Sequence, residues 1–93
     1  MAIDEIKAKT ALILQNAGVR RAAVFGSFAR GEQKASSDLD VLVELQEGKT
    51  LLDLIALKQR LAQALGVNVD IVTYRSLSPL LRDSILREQI PIL

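Results

Sequence analysis

Two aspartates with one residue between them, Asp38 and Asp40, open an apolar run that continues to Leu45. A buried strand seldom starts this way, because burying unpaired charge costs several kcal/mol or forces the group neutral. The pattern asks for a cation at that point, and a metal ion is the simplest candidate. In an extended strand, residues i and i+2 share a face. Asp38, Asp40, Leu42 and Glu44 therefore fall on one side, and Leu39, Val41, Val43 and Leu45 on the other. The second set is wholly apolar and reads as core. The first brings two hard oxygen ligands to the start of the strand. That spacing suits Mg²⁺, which takes one or two carboxylates together with substrate phosphates.

Just upstream, an apolar run ends in Gly26-Ser27 and a short helical turn, Phe28 to Arg30, follows. Glycine allows the backbone to approach a phosphate closely. A helix start presents free N–H groups to an anion, and Ser27 adds a hydroxyl. Arg30 could reach phosphate or could pair with Glu32. Further on, Asp70 lies in Val-Asn-Val-Asp-Ile-Val-Thr, on the side of that strand shared with Asn68 and Val72. An isolated strand aspartate is usually just solvated. Next to Asp38 and Asp40 on an adjacent strand, it completes a three-carboxylate cluster. A phosphate cradle beside metal-binding carboxylates is the equipment of phosphoryl-type transfer.

These segments together resemble a known family. Gly26-Ser27, Arg30-Gly31-Glu32, Ser37-Asp38-Leu39-Asp40 and Val69-Asp70-Ile71-Val72 resemble the nucleotidyltransferase superfamily related to DNA polymerase beta. Within it the chain is similar to the minimal, MNT-type branch paired with HEPN-domain proteins. The resemblance covers nearly all of residues 1–93, read as one minimal nucleotidyltransferase domain. It implies transfer of AMP from ATP to a hydroxyl, with two Mg²⁺ ions held by Asp38, Asp40 and Asp70 and with Gly26, Ser27 and Arg30 on the nucleotide phosphates. It also implies a partner: a HEPN-type toxin, adenylylated on a Tyr and so neutralised. The alternative is a non-catalytic antitoxin that silences its partner by contact alone. Three clustered carboxylates would serve no purpose in such a binder.

Composition sets the bounds. The chain has no Cys and no His. Thiolate metal sites, disulfides, Cys nucleophiles and His bases are thereby excluded, leaving carboxylates, hydroxyls, Lys, Arg and metal. Twelve basic residues against eleven acidic ones leave no basic footprint for nucleic acid. Two Phe and one Tyr make a base-stacking platform improbable. No apolar run reaches membrane-spanning length, and the first residues lack a separate apolar segment of the signal-peptide kind. The expectation is a soluble, cytoplasmic, single-domain protein. A chain this short buries only a modest share of its surface, so a partner or a homo-oligomer is expected.

The elements that must position the site follow from periodicity and caps. Residues 3–17 read as a helix with Ile3, Ile6, Thr10, Ile13 and Ala17 inward and Gly18 as its stop. Residues 20–26 read as a strand whose Arg20 and Arg21 lie at a solvated edge, with triphosphate contact a minor option. Residues 27–31 make the phosphate-facing turn, and 33–37 a polar loop. Residues 39–45 are the second strand. Thr50 with Asp53 resembles a capping box for a helix over 51–65, whose stripe is Leu51, Leu54, Ile55, Leu61, Ala62 and Leu65. Leu52 and Leu57 fall off that stripe, and Lys58 snorkels from within it. Residues 67–73 form the third strand. Ser78-Pro79 starts a last helix running to about Glu88, with Leu81 and Ile85 inward and Arg82 and Arg87 solvated. The apolar tail, residues 90–93, either packs on the sheet or meets a partner. The fold class is α/β (α+β): a small mixed sheet with helices on one face and the acidic site on the other. The first two strands are joined too closely for a crossover helix, so they should pair antiparallel.

Overall fold

The computed structural model describes all 93 residues. Its elements are α1 (Ile3–Asn16), β1 (Val19–Phe25), α2 (Ser27–Arg30), β2 (Leu39–Leu45), α3 (Leu51–Leu65), β3 (Val69–Thr73), a 3₁₀ turn (Tyr74–Ser76), α4 (Pro79–Glu88) and β4 (Ile90–Pro91). The sheet order is β3-β2-β1-β4. β1 runs antiparallel to both β2 and β4, while β2 and β3 are parallel. The sheet is mixed because the two connections differ in length. The polar loop after α2 only allows the chain to turn back, whereas α3 is long enough to cross over and return β3 parallel to β2.

One face of the sheet carries the main core. Leu39, Val41 and Val43 of β2, Ala22 and Val24 of β1 and Val69 of β3 pack against Ile6 and Leu14 of α1 and Leu57, Leu61 and Leu65 of α3. Fully burying one such Leu or Val contributes about 1.5–3 kcal/mol. Thr10 is buried among them, and its hydroxyl donates to the Ile6 carbonyl at 2.7 Å, which satisfies its polar atom inside the helix. The Thr50 capping box is present: Asp53 Oδ2 accepts from the Thr50 N–H at 2.7 Å, and Thr50 Oγ1 accepts from the Asp53 N–H at 3.4 Å. At the start of α4, Ser78 caps and Pro79 takes the first helical position.

On α1 the expected residues Ile3, Ile6, Thr10, Ile13 and Ala17 do face the core, whereas the α3 stripe differs from expectation in phase. On α3 the buried residues are Leu57, Leu61 and Leu65, with Leu54 and Ala62 half-buried; Leu51 and Ile55 are exposed. The 3.6-residue period fits Leu54, Leu57, Leu61 and Leu65 better, and an abundance of leucines concealed that choice. Leu14 also belongs to the α1 core. Leu81, expected inward, is 56% exposed. On α4, Ile85 and its neighbour Leu86 pack instead. The tail resolves its alternative in favour of packing: Ile90 and Pro91 pair with β1, and Ile92 is buried.

The second face is partly covered. Ala23 and Leu42 lie under Tyr74 and Leu77, with Phe25, Val72, Ile85 and Leu86 around them. Leu42, placed on the acidic side by its register, is therefore fully buried. α1 and α3 occupy the opposite face, as expected, while the 3₁₀ turn and α4 roof the middle of the site face. The carboxylates lie at the uncovered end.

Candidate active site

β2 delivers Asp40 with its side chain on the roofed face, at the end where the roof stops. The parallel register sets Asp40 opposite Asp70, and the antiparallel register sets it opposite Phe25. Asp38 sits just before the strand and is exposed, as is Asp70; Asp40 is half-buried. Asp40 feels its neighbours. Burial pushes its carboxyl up from the usual carboxylate range, and the charges of Asp70 and then Asp38 push it further. The carboxylates do not close into a group of three around one point. They form an open row whose crowding at Asp40 is offset only in part by Arg30.

The turn after β1 comes down onto this row. Gly26 has φ 71° and ψ −149°, a region open in practice only to glycine. A Cβ built there would lie 2.2 Å from Asp40 Oδ2. The glycine thus brings its backbone against the carboxylate with nothing between. Its carbonyl accepts the Arg30 N–H at 3.1 Å, and the Ser27 carbonyl accepts the Glu32 N–H at 2.9 Å, fixing the turn. Gly31 closes it in the left-handed conformation.

Arg30 is ion-paired twice. Its Nε donates to Glu32, and its Nη1 lies 3.2 Å from Glu88 Oε2. The Glu32 pairing expected as one alternative is therefore present, and a second acid shares the guanidinium. That acid, Glu88, is absent from the residues the sequence points to. It reaches Gly26 as well, where its Oε1 accepts the backbone N–H at 3.0 Å. No local pattern marks it; only the return of α4 across the sheet places it there.

Several other cations lie away from the row. Lys58 is exposed on α3, across the sheet from the carboxylates. Arg21 pairs with Glu44 at 3.0 Å and stacks over the Tyr74 ring, 3.9 Å from its centre. Arg82 is exposed but not simply solvated, since its Nη1 donates to the Tyr74 carbonyl at 3.0 Å. Both arginines, with Arg20, Lys49 and Arg75, line a groove of about 760 Å³ at the far end of the site face. No residue of the carboxylate row lines it.

The residues present suit a divalent cation and a phosphate chain. Asp40 has two like-charged neighbours, Asp70 and Asp38, and oxygen donors of this kind select hard ions such as Mg²⁺. The glycine turn leaves the space that a side chain would fill.

Several known proteins are similar to this chain over most of its length. The profile of the family described as polymerase beta, nucleotidyltransferase, matches residues 8–93. A protein of Methanocaldococcus jannaschii, provisionally named a protein adenylyltransferase, is 55% identical over 93 residues, covering 100% of both chains. A solved structure provisionally described as a minimal nucleotidyltransferase superposes with TM-score 0.84 at 47% identity, covering 98% of this chain and 96% of that one. A toxin–antitoxin crystallised with AMP-PNP superposes with TM-score 0.80 at 27% identity, covering 94% of this chain and 72% of that one. A profile match over nearly the whole chain, together with end-to-end identity above half, places this protein in the polymerase beta nucleotidyltransferase family, as an enzyme of its minimal type.

Proposed function

We propose that the chain transfers AMP from ATP to a hydroxyl of a partner protein, a Tyr of a HEPN-type toxin, and acts as the antitoxin. The observation that carries this reading is the meeting of Asp40 and Asp70 in register with the glycine turn that lies against Asp40. The similarity to a protein adenylyltransferase and to a toxin–antitoxin bound to AMP-PNP supports the choice of nucleotide and of acceptor class.

In this reading Gly26 N–H and the Ser27 hydroxyl bind the β- and γ-phosphates, and Arg30 neutralises them. Asp38 and Asp40 would hold two Mg²⁺ ions, with Asp70 helping to hold one of them. Such a pair supplies charge neutralisation for both the attacking and the leaving oxygens of an in-line displacement. The acceptor oxygen forms a bond to the α-phosphorus, the bond from that phosphorus to the β-bridging oxygen breaks, and pyrophosphate leaves. The acceptor proton passes to Asp70, which is exposed, and from it to water. The roof of Tyr74 and Leu77 keeps the sheet centre dry, so the acceptor must arrive from the open end.

In this reading the partner brings the acceptor to the carboxylate row. Leu80 is 93% exposed and Leu81 56%, both on α4, and Leu51 and Leu52 are exposed on α3. In this reading these exposed leucines offer apolar contact to the partner. No helix is long and apolar enough to cross a membrane. Incubation with α-labelled ATP, Mg²⁺ and the product of the adjacent gene tests the reading. Label on a Tyr of the partner is expected. A stable complex without label would select the non-catalytic binder.

A further inference from the structure

Glu88 ends α4 and lies 62 positions from Gly26 in sequence, yet it makes the two contacts that the nucleotide reading reserves for phosphate. Its Oε1 accepts the Gly26 N–H at 3.0 Å. Its Oε2 lies 3.2 Å from Arg30 Nη1. The side chain is 26% exposed, well covered for a surface glutamate. It stands in a region already crowded with negative charge, where Asp40 feels it as one more repulsive neighbour. A fourth carboxylate in that company is unfavourable unless the N–H and the guanidinium offset it. Hydrogen bonds to a carboxylate are stronger than neutral ones, and here they fill an anion seat.

We infer that Glu88 is an internal stand-in for a phosphate group, which keeps Gly26 N–H and Arg30 aligned in the nucleotide-free chain and must swing away when a triphosphate binds. The inference rests on the proposed nucleotide site and adds a positioning residue to it. Two consequences follow from the chemistry. The ligand competes with a built-in anion, so its apparent affinity is lower than the seat alone would give. Removing the charge while retaining an acceptor oxygen leaves the alignment and lifts the competition.

Glu88→Gln does this, since the amide oxygen can still accept from Gly26. Asp83→Asn, an exposed acid on the same helix with no contact to the turn, controls for net charge. Binding of a non-hydrolysable ATP analogue with Mg²⁺ is measured by calorimetry for wild type, Glu88→Gln, Glu88→Ala and Asp83→Asn, with a melt to show each is folded. The inference predicts roughly tenfold tighter binding for Glu88→Gln, the size of one like charge removed from a partly exposed site, and little change for Asp83→Asn. Glu88→Ala, lacking both charge and acceptor, should also bind more tightly than wild type. A merely structural Glu88 would give weaker or unchanged binding in both variants, and that result overturns the inference while leaving the nucleotide site standing. If neither wild type nor any variant binds the analogue, the nucleotide reading falls and takes the inference with it. Binding seen only in the Glu88 variants would support both.

Discussion

Gly26→Ala probes the contact on which the site depends. Two costs are worked from the geometry. The first is backbone: φ 71° with ψ −149° is a glycine-only conformation, and forcing another residue into it costs roughly 1–3 kcal/mol. The second is steric: the new methyl lies 2.2 Å from Asp40 Oδ2, so the carboxylate must rotate away or the turn must open. For a domain of this size each kcal/mol lowers Tm by about 4–8 °C, so the backbone cost alone corresponds to a fall of roughly 4–24 °C. Either response also spoils the seat. A turn that opens to negative φ swings the Gly26 N–H away, and losing one hydrogen bond to a charged ligand costs about 1.5–3 kcal/mol, or roughly ten- to hundredfold in affinity. Gly31→Ala is the control. It has the same φ of 71° but lies in the ordinary left-handed region, and nothing stands within 4 Å of the place its methyl would take. It should cost only about 1 kcal/mol and leave nucleotide affinity alone. Thermal melts and calorimetry with the ATP analogue read both variants. If Gly26→Ala melts with Gly31→Ala and binds the analogue like wild type, the close approach of turn to carboxylate has no functional meaning.

Two other outcomes follow from the same structure. Asp40 has its carboxyl pushed up by burial, Asp70 and Asp38; a raised folded-state value gives stability present at acid pH and lost as pH rises through that value. At neutral pH the Asp40 charge is therefore a cost, and Asp40→Asn should melt at or above wild type in chelator, with the gain vanishing in acid; a markedly lower neutral-pH melt would contradict the crowded-carboxylate picture. Leu57→Ala should cost about 2–5 kcal/mol by leaving a core cavity, whereas Leu52→Ala, 76% exposed, should stay within about 0.5 kcal/mol; equal denaturant midpoints would refute the phase assigned to α3.

Much of this arrangement can be read from residue types. Asp38-Leu39-Asp40 at the mouth of an apolar strand, Gly26-Ser27 at the end of another and Asp70 in a third are local patterns with a chemical reason, and the sheet register brings Asp40 and Asp70 side by side. The capping box and the Ser78-Pro79 start are equally local. What escapes such a reading is tertiary. The phase of α3 depends on which of its many apolar side chains the sheet accepts, and Leu57 prevails over Leu51 and Ile55 only through contact with α1 and the strands. The roof over Leu42 and the arrival of Glu88 at Gly26 depend on how α4 folds back. Neither leaves a periodic or motif signal, because the residues that meet lie far apart in the chain.

The central claim is that the carboxylate row transfers AMP to a partner. Its most direct test is transfer of label from α-labelled ATP to the purified product of the adjacent gene, in Mg²⁺, by wild type and by Asp38→Asn/Asp40→Asn. The account predicts label on a partner Tyr with wild type, none above background with the folded double variant, and none in chelator. Undiminished labelling by the double variant would contradict it.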